Sequence, residues 1–200
     1  METFKRFLVL ILLFTVISCR PDNTVPLKIR ELLKDNNITG TGDWKYLSQR
    51  SGYNIFRDNF IGKISQEKFV SGPSSLMISR DSILDYESHA SWYQNILNPT
   101  IPDGSTLRLR AKIRTENIEG EVIMTLHSLF GDDKYENGYY STYKEVAIDK
   151  NSDFKEVVLL LENYQNTYAP TEKLIVGLGL DNNTKGRVYF DDIHLEVIMK

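Results

Sequence analysis

The chain has one cysteine in 200 residues, so no disulfide framework can staple it and packing must hold its core. It lacks a positive excess: 24 Lys and Arg against 27 Asp and Glu give a formal net charge of -3. Phosphate binding wants a basic surplus, so nucleic acid is excluded as the expected partner. There are three histidines, no HExxH and no second cysteine, which removes the common zinc patterns. No glycine-rich loop opens a helix, so nucleotide chemistry lacks its phosphate cradle. Long amphipathic helical runs, internal repeats and low-complexity tracts are also missing. With 41% hydrophobic and 26% charged residues, the composition is that of an ordinary globular chain with one core.

What is present is a succession of short alternating runs separated by Gly, Pro, Asn and Asp clusters. The clearest is Thr106 to Glu116, where Leu107, Leu109, Ala111 and Ile113 alternate with Arg108, Arg110, Lys112 and Arg114. Period-two alternation predicts a strand with one dry and one wet face. Four cations in a row repel one another, so the wet face needs either acidic cross-strand partners or an anionic or polyhydroxyl ligand. Both readings stand. Further strands are expected at 54–60, after the Gly72-Pro73 turn through Leu76 to Ile78, and at His89 to Leu97, Glu121 to Phe130, Val146 to Ile148, Phe154 to Leu161, Lys173 to Leu180 and Arg187 to Ile198. The strands at 106–116 and 121–130 read as antiparallel neighbours, and 181–186 as a hairpin turn. The stretch from Gly131 to Tyr143 reads as one long loop carrying four tyrosines. Nine or ten strands in this length predict an all-β, two-sheet antiparallel jelly-roll sandwich over 37–200.

The amino-terminal region reads as an export address. Lys5 and Arg6 precede an apolar run, Phe7 to Ile17, that is too short to span a bilayer comfortably. Its end, Val16-Ile17-Ser18-Cys19, resembles the lipobox of bacterial lipoproteins. That resemblance implies a signal peptide over 1–18, removal before Cys19, and an acyl anchor on that cysteine in the inner or outer membrane. An unpaired cysteine in an exported chain calls for such an explanation. Residues 19–36 then form a tether, in which the spacing of Ile29, Leu32 and Leu33 predicts a short helix.

At Arg187-Val-Tyr-Phe-Asp-Asp-Ile-His-Leu-Glu196 the sequence resembles the last strand of galactose-binding-like jelly rolls, in particular carbohydrate-binding modules. Ser71-Gly72-Pro73-Ser74-Ser75-Leu76 looks like the "sGk-SL" turn of that family, Thr106 to Arg114 like its central strand, and Asp153 to Val157 like its "W-k-x-v" strand. Arg114-Thr115-Glu116-Asn117-Ile118 is similar to the "KTENV" segment of related envelope domains.

The resemblance implies a structural calcium held by Glu67, backbone near Gly72, and Asp191 or Asp192, oxygen ligands of the kind Ca²⁺ takes. The other reading of Asp191-Asp192 is a strand kink in which the carboxylate bonds a nearby turn. The resemblance also implies sugar binding through aromatic platforms and polar side chains. The candidates are Trp92 with Gln94, or Tyr93 with Asn95 on the opposite face of the same strand, together with Arg108, Arg110, Lys112, Arg114, Tyr139 and Tyr140. Alternation lets only one of Trp92 and Tyr93 face a ligand.

No catalytic residues are assigned. His89, His127 and His194 fall on three separate strands, and the adjacent pairs Asp132-Asp133 and Asp191-Asp192 point to opposite faces, which disfavours shared acid-base work. The expected function is a membrane-anchored, non-catalytic glycan-binding module, with the four cations favouring an acidic polysaccharide. The alternative is an envelope protein-protein interaction or spacer domain that binds no sugar.

Overall fold

The computed structural model describes residues 27–40, 42–50, 59–83, 88–143, 148 and 150–199, none of them helical. Cys19, the signal segment and most of the expected strands at 54–60 and 146–148 lie outside these residues. Eleven strands are described: β1 (Lys28–Glu31), β2 (Lys45–Arg50), β3 (Phe60–Ser65), β4 (Ser75–Arg80), β5 (Ser88–Leu97), β6 (Thr106–Glu119), β7 (Val122–Phe130), β8 (Tyr135–Ser141), β9 (Ser152–Leu161), β10 (Lys173–Leu180) and β11 (Lys185–Met199). They form two antiparallel sheets packed as a sandwich. One runs β3-β4-β11-β6-β9, with β1 pairing the end of β11, and the other runs β2-β5-β10-β7-β8.

The alternation in the sequence sets the layers. Leu107, Leu109, Ala111 and Ile113 of β6 are each at most 1% exposed, and they meet Met124 and Leu126 of β7 and Val176 and Leu178 of β10, all fully buried. Burial of this kind is the main force holding the two sheets together.

Two expected neighbours are not neighbours. β6 and β7 are separated only by Gly120 and Glu121, yet β6 pairs with β11 and β9 while β7 pairs with β10 and β8. The chain crosses from one sheet to the other at Gly120, whose φ of 112° is open to glycine and where a Cβ would stand 2.4 Å from Thr184 Oγ1. The turn at 181–184 is likewise a crossing between sheets and not a hairpin, since β10 and β11 lie in different sheets. The two crossings are tied together by Asp181 N donating to Glu121 O at 3.0 Å and Glu121 N donating to Thr184 Oγ1 at 2.8 Å.

Two further expectations are corrected. The Gly131–Tyr143 stretch is no long loop: after a turn at 131–134, β8 returns along β7 as a hairpin. The segment around Ile29 is not a helix, because β1 pairs in register with β11, Lys28 opposite Met199. The sandwich therefore starts within the expected tether, by residue 28.

Candidate functional site

The cationic strand faces outward from the six-stranded sheet, and each cation has an acidic partner. Arg108 Nε lies 2.5 Å from Glu196 Oε2. Arg110 is within 3.6 Å of Glu156 and 3.9 Å of both Asp192 and Glu196. Lys112 Nζ lies 3.0 Å from Asp192 Oδ2, and Arg114 pairs with Glu116 and Asp153. Of the two readings of this face, cross-strand neutralisation describes it. Glu196 stands directly opposite Arg108 in the ladder, and Glu156 opposite Lys112.

Trp92 and Gln94 point into the sandwich and contribute no exposed surface for a ligand. Trp92 is 6% exposed, packs on Tyr46 at 5.3 Å and donates Nε1–H to Met77 O at 3.1 Å, joining β5 to β4 of the other sheet. Gln94, 2% exposed, accepts from Lys34 N and donates to Lys34 O, both at 2.9 Å, so its amide clamps the chain that follows β1. Tyr140 pairs with Leu126 and packs against the core, where burial, and then the neighbouring Tyr164, raise its hydroxyl pKa.

The residues implied for calcium do not fit an ion. Asp191 is fully buried, and its carboxylate accepts from Val70 N (2.5 Å), Ser71 N (2.9 Å), Ser71 Oγ (3.1 Å) and Asp192 N (2.7 Å). A metal would have to displace those donors. Asp192 is engaged by Lys112 and His194, and Glu67 is exposed and faces Lys63 at 3.6 Å. Gly72 is pressed against Asn37, with a Cβ there only 2.1 Å from Asn37 O. Among the described residues no group of three His, Cys, Asp or Glu is placed to hold a metal ion. Turn-bonding by the carboxylate is what Asp191 does.

The opposite surface is different. On the outer face of the five-stranded sheet, Lys45, Tyr93, Gly177, Thr125 and Ser141 lie in one row across β2-β5-β10-β7-β8. Beside it run Asn95, Ile175, His127 and Tyr139. At about 4.8 Å between strands, the five-strand row is about 19 Å long. Gly177 and Gly179 bring no side chain to the middle strand, and neighbours close over both: Thr125 Oγ1 lies 2.4 Å from where a Cβ at 177 would stand, and Ala90 O 2.3 Å from one at 179. Tyr139 is 57% exposed, and His127 meets its ring edge-on at 5.5 Å while Nε2 lies 2.9 Å from Glu136 Oε2. Burial of its hydroxyl and then the charge of Asp181 raise the Tyr139 pKa, against a weaker opposing hydrogen bond with Ser141, so it remains a neutral donor.

Of the expected binding residues, then, the structure puts Tyr139 on this face and Arg108, Arg110, Lys112 and Arg114 on the opposite one. Tyr93 and Asn95, the other arm of the β5 alternative, are the outward pair. Thr125, His127, Gly177 and Gly179 were not singled out as site residues. Strand alternation could have placed the first two, but only the pairing partners of β10 reveal the glycines as the middle of the face.

A second recess, a cavity of about 430 Å³, lies where β4, β11 and β6 end and is lined by Arg80, Asp81, Glu116, Glu119, Lys185 and Arg187 among others. Its charges are largely paired: Lys150 and Lys185 both reach Glu119, and Arg187 reaches Glu116. Among the described residues no aromatic side chain lines it.

No family model matches the chain, and no curated protein matches it. Solved structures do. The enzymatically active domain of tailspike protein 4 of bacteriophage CBA120 superposes with a TM-score of 0.59 at 9% identity, over 84% of this chain and 21% of that one. A structure of promiscuous carbohydrate-binding modules from the β-sandwich superfamily gives 0.52 at 17% identity, over 80% of this chain and 60% of that one. The module TmCBM61, solved with β-1,4-galactotriose, gives 0.50 at 13% identity, over 83% and 97%. This chain thus spans about a fifth of the tailspike chain and less than two thirds of the second. The fold is a jelly roll of the carbohydrate-binding-module type.

Proposed function

We propose that the protein is a non-catalytic glycan-binding module, anchored to a membrane through acylated Cys19, and that its ligand face is the outer face of the five-stranded sheet. The observation that carries this is the juxtaposition of Tyr139, His127, Asn95 and Tyr93 across adjacent strands of one outer face. Aromatic rings give a pyranose apolar contact, and the amide, hydroxyl and imidazole groups read its hydroxyls. The neighbouring solved structures that are carbohydrate-binding modules support this reading. An acidic polymer was expected because of the cationic strand. With those cations paired on the other sheet, that expectation loses its support, and the modest charge around Tyr139 favours a neutral polysaccharide.

Affinity electrophoresis against neutral and acidic polysaccharides tests this. Tyr139→Ala is expected to weaken binding by roughly tenfold, about the 1.4 kcal/mol of one good aromatic contact. Arg110→Ala should leave binding unchanged. Loss of binding in Arg110→Ala with retention in Tyr139→Ala would move the site to the six-stranded sheet, and retardation by no polymer would reject sugar binding.

The second reading, a protein-contact or spacer domain of the envelope, has its own observation. Val158 and Leu160 are 37% and 50% exposed on the edge strand β9, beside the neutralised Arg110 and Arg108. Apolar surface among paired charges suits a protein partner.

A further inference from the structure

The ladder register puts several exposed apolar side chains at one end of the sandwich, the end where the chain enters. Leu27, 57% exposed, precedes β1, and Lys28 pairs with Met199, so entry is beside the end of β11. In the other sheet, Leu97 closes β5 at 69% exposure and pairs with Lys173, which pairs in turn with Leu129 next to Phe130. Phe130 stacks on Tyr135 (60% exposed) at 5.4 Å and lies 6.2 Å from Tyr168 (76% exposed). The two sheets share this end, because Tyr164, just after β9, bonds Ser128 of β7 at 2.7 Å and Gly104 N donates to Tyr164 O.

The support beneath these side chains is fixed. Tyr168 N donates to Asn137 Oδ1, Asn137 Nδ2 donates to Ala169 O, and Asn166 is held by Asp103 at 2.8 Å. Two tyrosines and a leucine are therefore presented on a built surface. Tyrosine with an apolar ring and a polar tip is the side chain suited to the boundary between lipid headgroups and acyl chains.

We propose that this end rests on the anchoring membrane, with Tyr135, Tyr168 and Leu97 entering the headgroup boundary of its lipids. The inference rests on acylation of Cys19. Seven residues lie between that cysteine and Leu27, eight Cα steps with a reach of at most about 28 Å when fully extended. An acyl chain at Cys19 would keep this end near the bilayer, and exposed aromatic and aliphatic groups there lower the cost of contact. The contact is apolar in kind, so it should not require anionic lipid. It would set the sheets upright on the membrane, leaving the face around Tyr139 to open sideways toward polymer.

The test uses full-length protein purified from membranes and placed in phosphatidylcholine vesicles, with and without phosphatidylglycerol. A tryptophan is introduced by Tyr168→Trp, or by Tyr143→Trp at the far end, over the buried Trp44 and Trp92. Intact mass reports acylation in the same samples. Acylated protein in which brominated lipid quenches the tryptophan at 168 several-fold more than that at 143, equally in both vesicles, is the expected result. Acylated protein with no quenching at 168, or with equal quenching at both positions, overturns the orientation alone. Absence of an acyl mass overturns the anchor and this inference together.

Discussion

Glu31 and His194 hold β1 onto β11: Glu31 Oε2 lies 2.9 Å from His194 Nδ1, while Oε1 accepts from Leu32 N, Leu33 N and Leu195 N at 2.9 to 3.0 Å. His194 Nε2 then reaches Asp192 at 3.0 Å. One carboxylate thus serves as the acceptor for the chain leaving β1 and for the strand beside it. Glu31→Ala is expected to lower stability by about 1–3 kcal/mol, the cost of orphaning part-buried amides. Urea unfolding measures it, and amide exchange should rise selectively over residues 28–33.

Asp191 is the stronger case, because none of its surface is exposed and four donors converge on it. Asp191→Ala should cost about 3 kcal/mol or more, given the penalty for burying donors without their charged acceptor. Since those donors take the place of a cation, the thermal midpoint of the native protein should be the same in EDTA as in millimolar calcium. A rise of several degrees with calcium would show that the turn at 70–71 opens to admit an ion.

Asp192 gives a pH dependence. Burial pushes its carboxyl pKa up, but hydrogen bonds with Lys112 and His194, and the charges of both, outweigh this and leave it below the ordinary aspartate value. The unfolded chain takes up its proton near pH 3.9, before the folded one does. The stabilisation is therefore full above about pH 5 and drains away as pH falls through the lower folded value. Asp192→Asn should flatten the fall in urea midpoint between about pH 5 and pH 3, and because the groups are partly solvated the effect should shrink in high salt.

Trp92 tests the proposed ligand face from the structural side. Trp92→Phe loses the bond to Met77 O and some packing between the sheets, for an expected loss of about 1–3 kcal/mol. Polysaccharide affinity of the folded variant should stay unchanged, as measured by the same gel retardation that reports on Tyr139.

The layers and the inward sets were legible in the sequence, because period-two alternation is a local property: Leu107 to Ile113 name their own face. Which face keeps unpaired polar and aromatic groups was not legible, since that depends on pairing partners far away in the chain. Glu196 and Asp192 neutralise a strand about 80 residues before them, and nothing local to Arg108 or Arg110 announces that. The same holds for Gly120, where two residues suffice to change sheets. Short spacing suggests a hairpin, and only the burial of both flanking strands against each other decides otherwise. In β5 the alternation was correct in form, with its two arms fixed as Trp92 inward and Tyr93 outward once Met77 supplied an acceptor for the indole.

The pairing of Lys28 with Met199 has a practical consequence for anyone labelling this molecule. A fluorophore or fusion appended after the last strand would emerge beside the first one, where it would crowd the segment that leads into it. Asn183, the exposed tip of the crossing between β10 and β11 at the other end of the sandwich, offers an insertion point clear of both.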